Sequence, residues 1–158
     1  MSDAVEGESE IDALARALSH DHVGTEAMLE EARAAFEQLE HGLSPEAFQR
    51  LISEPLVALR DHLTEHFANE EELLEPIVGE RFPDLAGELA SLKDAHESIC
   101  ALVVRLGSWA ESDTIPHDAA EIARQRALFD ELARQHDQHG PTERAIFDRV
   151  IARVRASD

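Results

Sequence analysis

Apolar residues recur along most of the chain at alternating spacings of three and four, the pattern of helices that bury one face. The first stripe is Ile11, Leu14, Leu18, His22, Thr25, Leu29, Ala32, Phe36 and Leu39, and Gly42 stops it. Ser44 then predicts an N-cap, with Pro45 at the first helical position. The second stripe is Phe48, Ile52, Pro55, Leu59, His62, His66, Glu70 and Leu73, ending near Pro76, with a kink expected at Pro55. Residues 79–83 read as a loop. A third stripe follows: Leu85, Leu89, Leu92, His96, Ile99, Val103 and Leu106. The segment ESDTIPHD is the next break, and Asp118 and Glu121 beyond it have capping-box spacing. The fourth stripe is Ile122, Gln125, Phe129, Leu132, His136, His139, Glu143, Ile146 and Val150. No strand pattern is present. Four helices with mostly short connections predict an all-α, up-down-up-down four-helix bundle. Residues 1–9 are small, polar and acidic, so a disordered N-terminus is expected ahead of one domain over residues 10–155.

Each stripe is interrupted by polar residues, and the interruptions fall at one level. In an up-down bundle, helices one and three start where helices two and four finish. With a rise of about 1.5 Å per residue, His22, the pair His66 and Glu70, His96, and the pair His139 and Glu143 all reach the same layer. His20, two residues from His22, lies about 200° around the helix and is expected on the outer face. His41 and His117 fall in loops. Buried carboxylates without partners lose several kcal/mol of hydration, and no Lys or Arg lies on the stripes beside these two. A metal resolves the conflict. Imidazole with carboxylate suits iron, manganese or zinc. His and Glu at i and i+4 stand one turn apart on one face and can chelate or bridge. Six protein ligands exceed what one tetrahedral zinc takes and suit two octahedral irons sharing carboxylates and an oxygen species. Glu71 and Glu72 are expected to face solvent, and Cys100 to be a small buried apolar residue.

Composition narrows the function classes. The 158 residues, 43% hydrophobic and only 4% aromatic with no Tyr, are enough for one helical domain with a sizeable core. A formal net charge of -20 repels phosphate backbones and anionic lipid, so neither nucleic acid nor membrane is an expected partner. No apolar run approaches the roughly 20 residues of a membrane span. The N-terminal MSDAVEGESE lacks the basic-then-apolar order of a signal peptide, and a single cysteine forms no intrachain disulfide, so a cytoplasmic protein is expected. The nine histidines are in excess for this length, which returns attention to the polar layer.

The stretches carrying that layer resemble the hemerythrin-like proteins with an HHE cation-binding domain. HFANEEELLEP resembles the family's His-x-x-x-Glu-Glu motif with its Leu-rich turn and Pro. SHDHVGTEAMLEEA resembles the first-helix histidine motif, carried by His22. LKDAHESICAL resembles the third-helix motif, carried by His96. HGPTERAIF resembles the second His-x-x-x-Glu, carried by His139 and Glu143. The resemblance implies two non-haem irons, oxo- or hydroxo-bridged, inside a four-helix bundle, with His22, His66, Glu70, His96, His139 and Glu143 as ligands.

There are three departures from the family pattern. Cys100 stands where oxygen-carrying members place a second histidine one turn after His96, which brings the chain closer to the bacterial and sensor branches. Gly140 and Pro141 interrupt the fourth motif, and a kink is expected between His139 and Glu143. His62 and His136 also lie on the inner stripes, as further ligands or second-shell partners. Seven or fewer protein ligands leave a position for dioxygen, nitric oxide or peroxide. Binding or sensing such a ligand ranks first, with a separate redox or signalling partner for a sensor. An enzyme consuming peroxide or nitric oxide, and a role in iron storage, delivery or iron-centre repair, stand as alternatives.

Overall fold

In the computed structural model the described residues are 10–17, 22–112 and 118–157, without the side chains of His22 and Val23. Among them all regular structure is helical. Helix α1 covers residues 10–17, α2 His22–Glu40, α3 Pro45–Arg81, α4 Ala86–Glu111 and α5 Ala119–Ser157, with a 3-10 turn at Pro83–Leu85 before α4. No described helix is long and apolar enough to cross a membrane.

The helix ends follow from local chemistry. Gly42, with φ of 101°, closes α2: its N–H bonds the Leu39 carbonyl at 3.2 Å while that of Leu43 bonds Gln38 at 3.0 Å. That pairing satisfies two carbonyls the helix leaves open, and only glycine takes the required φ without strain. Ser44 caps α3 as expected, its Oγ accepting from the Ala47 N–H at 3.2 Å, with Pro45 next. Asp118 Oδ1 accepts from the Ala120 N–H at 2.8 Å at the start of α5. The reciprocal half of a capping box is not made there, because the Glu121 carboxylate takes Arg124 and Gln125 instead.

Helix α3 runs five residues beyond the end expected near Pro76, and the loop expected over residues 79–83 is mostly helix. Pro76 and Pro141 each deprive the carbonyl four residues earlier of its helical partner. Those carbonyls belong to Glu72 and Asp137, both exposed, so water replaces the lost bond and the helices continue. Pro55 likewise sits inside α3, buried.

Two apolar clusters fill the interior. The first gathers Leu29 and Phe36 of α2, Phe48, Ile52 and Leu63 of α3, Ile99 and Leu106 of α4, and Phe129 and Leu132 of α5. The second gathers Leu14 of α1, Leu74 and Val78 of α3, Leu89 and Leu92 of α4, and Phe147, Val150 and Val154 of α5. Helix α3 runs from the first cluster to the second, α4 returns, and α5 runs out again. Helices α3 and α4 pack together, α3 also packs on α2 and α4 on α5. Phe36 against Phe129, 5.5 Å between ring centres, brings α5 back to α2. On α3, α4 and α5 a polar interval separates the two clusters, and it holds His66 and Glu70, His96, and His139 and Glu143 respectively.

Helix α4 comes close to α3 at Gly107, where a Cβ would lie 2.8 Å from Arg60 Cδ and 3.0 Å from Arg60 Cβ. Arg60 is held by two bonds to Glu111, at 2.8 and 3.2 Å, so it does not swing aside freely. Gly79 lies exposed in α3 with nothing within 4 Å of such a Cβ. Gly107→Ala is therefore expected to destabilise the protein by about 1 kcal/mol, overpacking outweighing helix propensity. Gly79→Ala is expected to stabilise it by about 0.5–1 kcal/mol. Urea unfolding midpoints of the two variants should move in opposite directions.

Candidate metal centre

The polar interval is built from i, i+4 pairs on two helices and one residue of a third. His66 and Glu70 project from α3, His139 and Glu143 from α5, and His96 from α4 between them. All five are buried, none more than 8% exposed. His66 Nε2 lies 2.7 Å from Glu70 Oε1 and 3.8 Å from Glu143 Oε1. His96 Nε2 lies 3.3 Å from Glu70 Oε2 and 3.1 Å from His139 Nε2. His139 Nε2 lies 3.5 Å from Glu143 Oε2. The donor atoms form two groups able to hold a cation, Glu70–His96–His139 and His66–Glu70–Glu143, each with its atoms within 4.8 Å of one another. Glu70 belongs to both, turning one oxygen to each.

The charges in this interval are not balanced by protein cations. Among the described residues no Lys or Arg is buried. Both oxygens of Glu70 and Oε1 of Glu143 are buried without a hydrogen-bond partner, although imidazole nitrogens stand close by. Burial opposes the charge on Glu70, but His66 and His96 outweigh it and its pKa is lowered. For Glu143 burial dominates, reinforced by Glu70, and its pKa is raised. Burial also disfavours protonation of His66, yet Glu143 and Glu70 overcome it and hold its pKa up to about 10. His139 is pushed down to about 4 by burial and then by His96. With no cation beside them, Glu143 and Glu70 favour the protonated form of His66. Nitrogen and carboxylate donors converging on orphaned buried oxygens fit a metal cation better than a proton.

The structure places the expected site residues other than His22. His66, Glu70, His96, His139 and Glu143 are brought together. His22 opens α2, but its side chain is outside the described set, as are His20 and His117 altogether. Thr25, on the same expected stripe, is 2% exposed, so this face of α2 is turned inward. His62 stacks on His66 at 6.0 Å between ring centres and is half-buried, with its Nε2 buried and unpartnered; it belongs to neither donor group. His136 is half-buried and also outside both groups. His41 is exposed, its Nδ1 2.8 Å from the Glu37 carbonyl. Pro141 does not displace Glu143, which is 1% exposed beside His139. Cys100 is half-buried and outside both groups; burial, then the charge of Glu71, push its thiol up and keep it protonated.

Cys100, expected to be buried, is only half-buried, and Glu71 departs further from expectation. Glu72 is exposed, but Glu71 is half-buried and its Oε1 lies 3.2 Å from His96 Nδ1. The doubled Glu-Glu in HFANEEELLEP is the sequence signal for it, but only the approach of α4 shows which neighbour the second carboxylate meets.

Comparison with known proteins agrees with this geometry. The family model described as hemerythrin HHE cation binding domain matches residues 13–150. No curated protein and no solved structure matches the chain.

The shifted histidines set opposite pH dependences in the metal-free protein. His66, raised from 6.5 to about 10, contributes stability that is complete below pH 6.5 and is lost as pH rises through 10. His139, lowered from 6.5 to about 4, contributes stability that is complete above pH 6.5 and is lost as pH falls through 4. Unfolding midpoints of chelated protein should therefore fall on both sides of about pH 6.5, and His66→Gln should flatten the alkaline side. An alkaline limb equally steep in that variant would refute the assignment.

Proposed function

The chain belongs to the hemerythrin HHE cation-binding family, and from that premise we propose a non-haem di-iron protein, an up-down-up-down four-helix bundle that binds or senses dioxygen, nitric oxide or peroxide. The observation that carries this reading is the sharing of Glu70 by two buried donor groups. One carboxylate facing two cation positions calls for a bridged pair rather than a single ion. Iron is favoured by the mixture of imidazole and carboxylate donors. The proposed ligands are His22, His66, Glu70, His96, His139 and Glu143, with His62 and His136 as supporting neighbours.

Bound iron supplies reversible coordination and electron exchange with a small ligand. The protein's own residues set the conditions. Glu70 and Glu143 bring negative charge that offsets the cations, and His66, His96 and His139 bring neutral nitrogen donors. Phe67 stacks on His96 with 3.9 Å between ring centres and meets the His139 ring nearly at right angles, limiting how far either imidazole turns. Apolar clusters on both sides restrict water and proton entry. Restricted proton supply favours binding or sensing over turnover. Consumption of peroxide or nitric oxide is the alternative favoured by a pocket of about 310 Å³ between α3 and α4 that reaches His96.

Protein purified without chelator is expected to carry about two irons per chain. Chelation should lower the melting temperature by about 5–10 °C, because bound metal stabilises only the folded state. Zinc alone at one per chain, after growth with ample iron, would overturn the di-iron reading. His22→Ala should lower iron content and bleach the near-ultraviolet charge-transfer bands, whereas His20→Ala should leave both intact and change stability by no more than about 0.5 kcal/mol. The reverse result would place the stretch around His20 and His22 half a turn out of register. Reversible oxygen spectra without turnover support the binding reading; steady peroxide consumption far above that of free iron supports the enzyme.

A further inference from the structure

His96 receives three side chains from one turn of α3. Residues 67, 70 and 71 stand at i, i+3 and i+4, so all face α4 together. Phe67 stacks on the imidazole, the ring planes 10° apart. Glu70 Oε2 approaches Nε2 at 3.3 Å, and Glu71 Oε1 approaches Nδ1 at 3.2 Å. A carboxylate thus stands at each ring nitrogen, one inside the donor groups and one outside. His139 shares the same donor group and is supported differently: its Nδ1 is buried without a hydrogen-bond partner. Glu71 is in neither donor group. It lines the wall of the pocket between α3 and α4, beside Thr64, Lys93 and Cys100, with its side chain 27% exposed.

We propose that Glu71 is a positioning residue for the cation held by Glu70, His96 and His139, and that it makes the two metal positions unequal. A neutral imidazole has one N–H, and Glu71 accepts from it only when the hydrogen is on Nδ1. Nε2 is then left with its lone pair directed at Glu70 and His139. The negative charge across the ring makes that nitrogen a stronger donor, as carboxylates behind ligating histidines do elsewhere. Among the described residues Glu71 meets His96 through its carboxylate and neither His66 nor Glu143, the two donors particular to the other group, so its support reaches one position only. Glu71→Ala removes both the acceptor and the charge. Glu71→Gln keeps an acceptor oxygen at the same reach and removes only the charge.

This inference rests on the two-iron reading, and one experiment separates them. Wild-type, Glu71→Gln and Glu71→Ala proteins are loaded anaerobically with ferrous iron. Release into excess ferrous chelator is then followed per chain, and midpoint potentials are measured by redox titration. Wild-type protein holding fewer than two irons overturns the two-iron reading. With two bound, Glu71→Ala is expected to release one iron about 10–100-fold faster than wild type and the other at the wild-type rate. Glu71→Gln should fall between, with one of two potentials shifted upward by the lost negative charge. Because Glu71 is partly exposed, melting of the metal-free variants should match wild type. Two irons released at wild-type rates from Glu71→Ala, or both accelerated equally, would overturn the positioning role.

Discussion

Two carboxylates buried in one layer without a Lys or Arg constrain everything else in this molecule. Glu70 and Glu143 are each 1% exposed, and removing a carboxylate from water costs several kcal/mol unless positive charge is returned to it. Without metal, His66 returns part of that charge by holding a proton. It cannot serve both carboxylates equally: Glu70 remains ionised while Glu143 is pushed toward its neutral form. The layer is thus frustrated as a protein core and satisfied as a coordination shell. The helices around it are held by apolar contacts that do not depend on the charge, which keeps the donors in place whether or not a cation is present.

Much of this was legible in the chain. The 3-4 spacing located the inner face of α4 and its lead-in turn because the buried residues there follow one narrow stripe: Leu85, Leu89, Leu92, His96, Ile99, Val103 and Leu106 are all buried as read, whereas on α5 Ile122, Gln125 and His136 of the expected stripe are half-buried and Ala133 and Phe147 outside it are buried. Helix α3 was read less well. Its buried arc is wider than the stripe. Leu63, Phe67 and Leu74 are buried, while His62 and Leu73 on the expected stripe are only half-buried. The helix end was misread because Pro76 carries a strong local signal against continuation. Burial of Leu74, Ile77 and Val78 in the second cluster outweighs the one lost hydrogen bond.

The site divides in the same way. Residues four apart on one helix are neighbours whatever the tertiary structure does, so the two His-Glu pairs could be read directly. Which donors share a cation is decided by how α3, α4 and α5 meet, and a stripe does not encode that. Glu71 marks the limit most clearly. On a helical wheel it lies only 100° from Glu70, at the margin of the buried arc, and its role appears once His96 of α4 fills the space beside it.

The division of the core has a consequence of its own. Among the described residues the first apolar cluster and the second are separate, with the polar interval between them on α3, α4 and α5, so each resembles a small core in its own right. Proteins open in cooperative units bounded by weak seams, and an interval of uncompensated charge is such a seam. Cations that neutralised it would join the two halves into one unit of opening, and their loss would leave two units able to open separately. Metal state is thereby carried to amides at the far ends of α3 and α5, well beyond any ligand, and hydrogen exchange there becomes a reporter of what occupies the middle of the bundle.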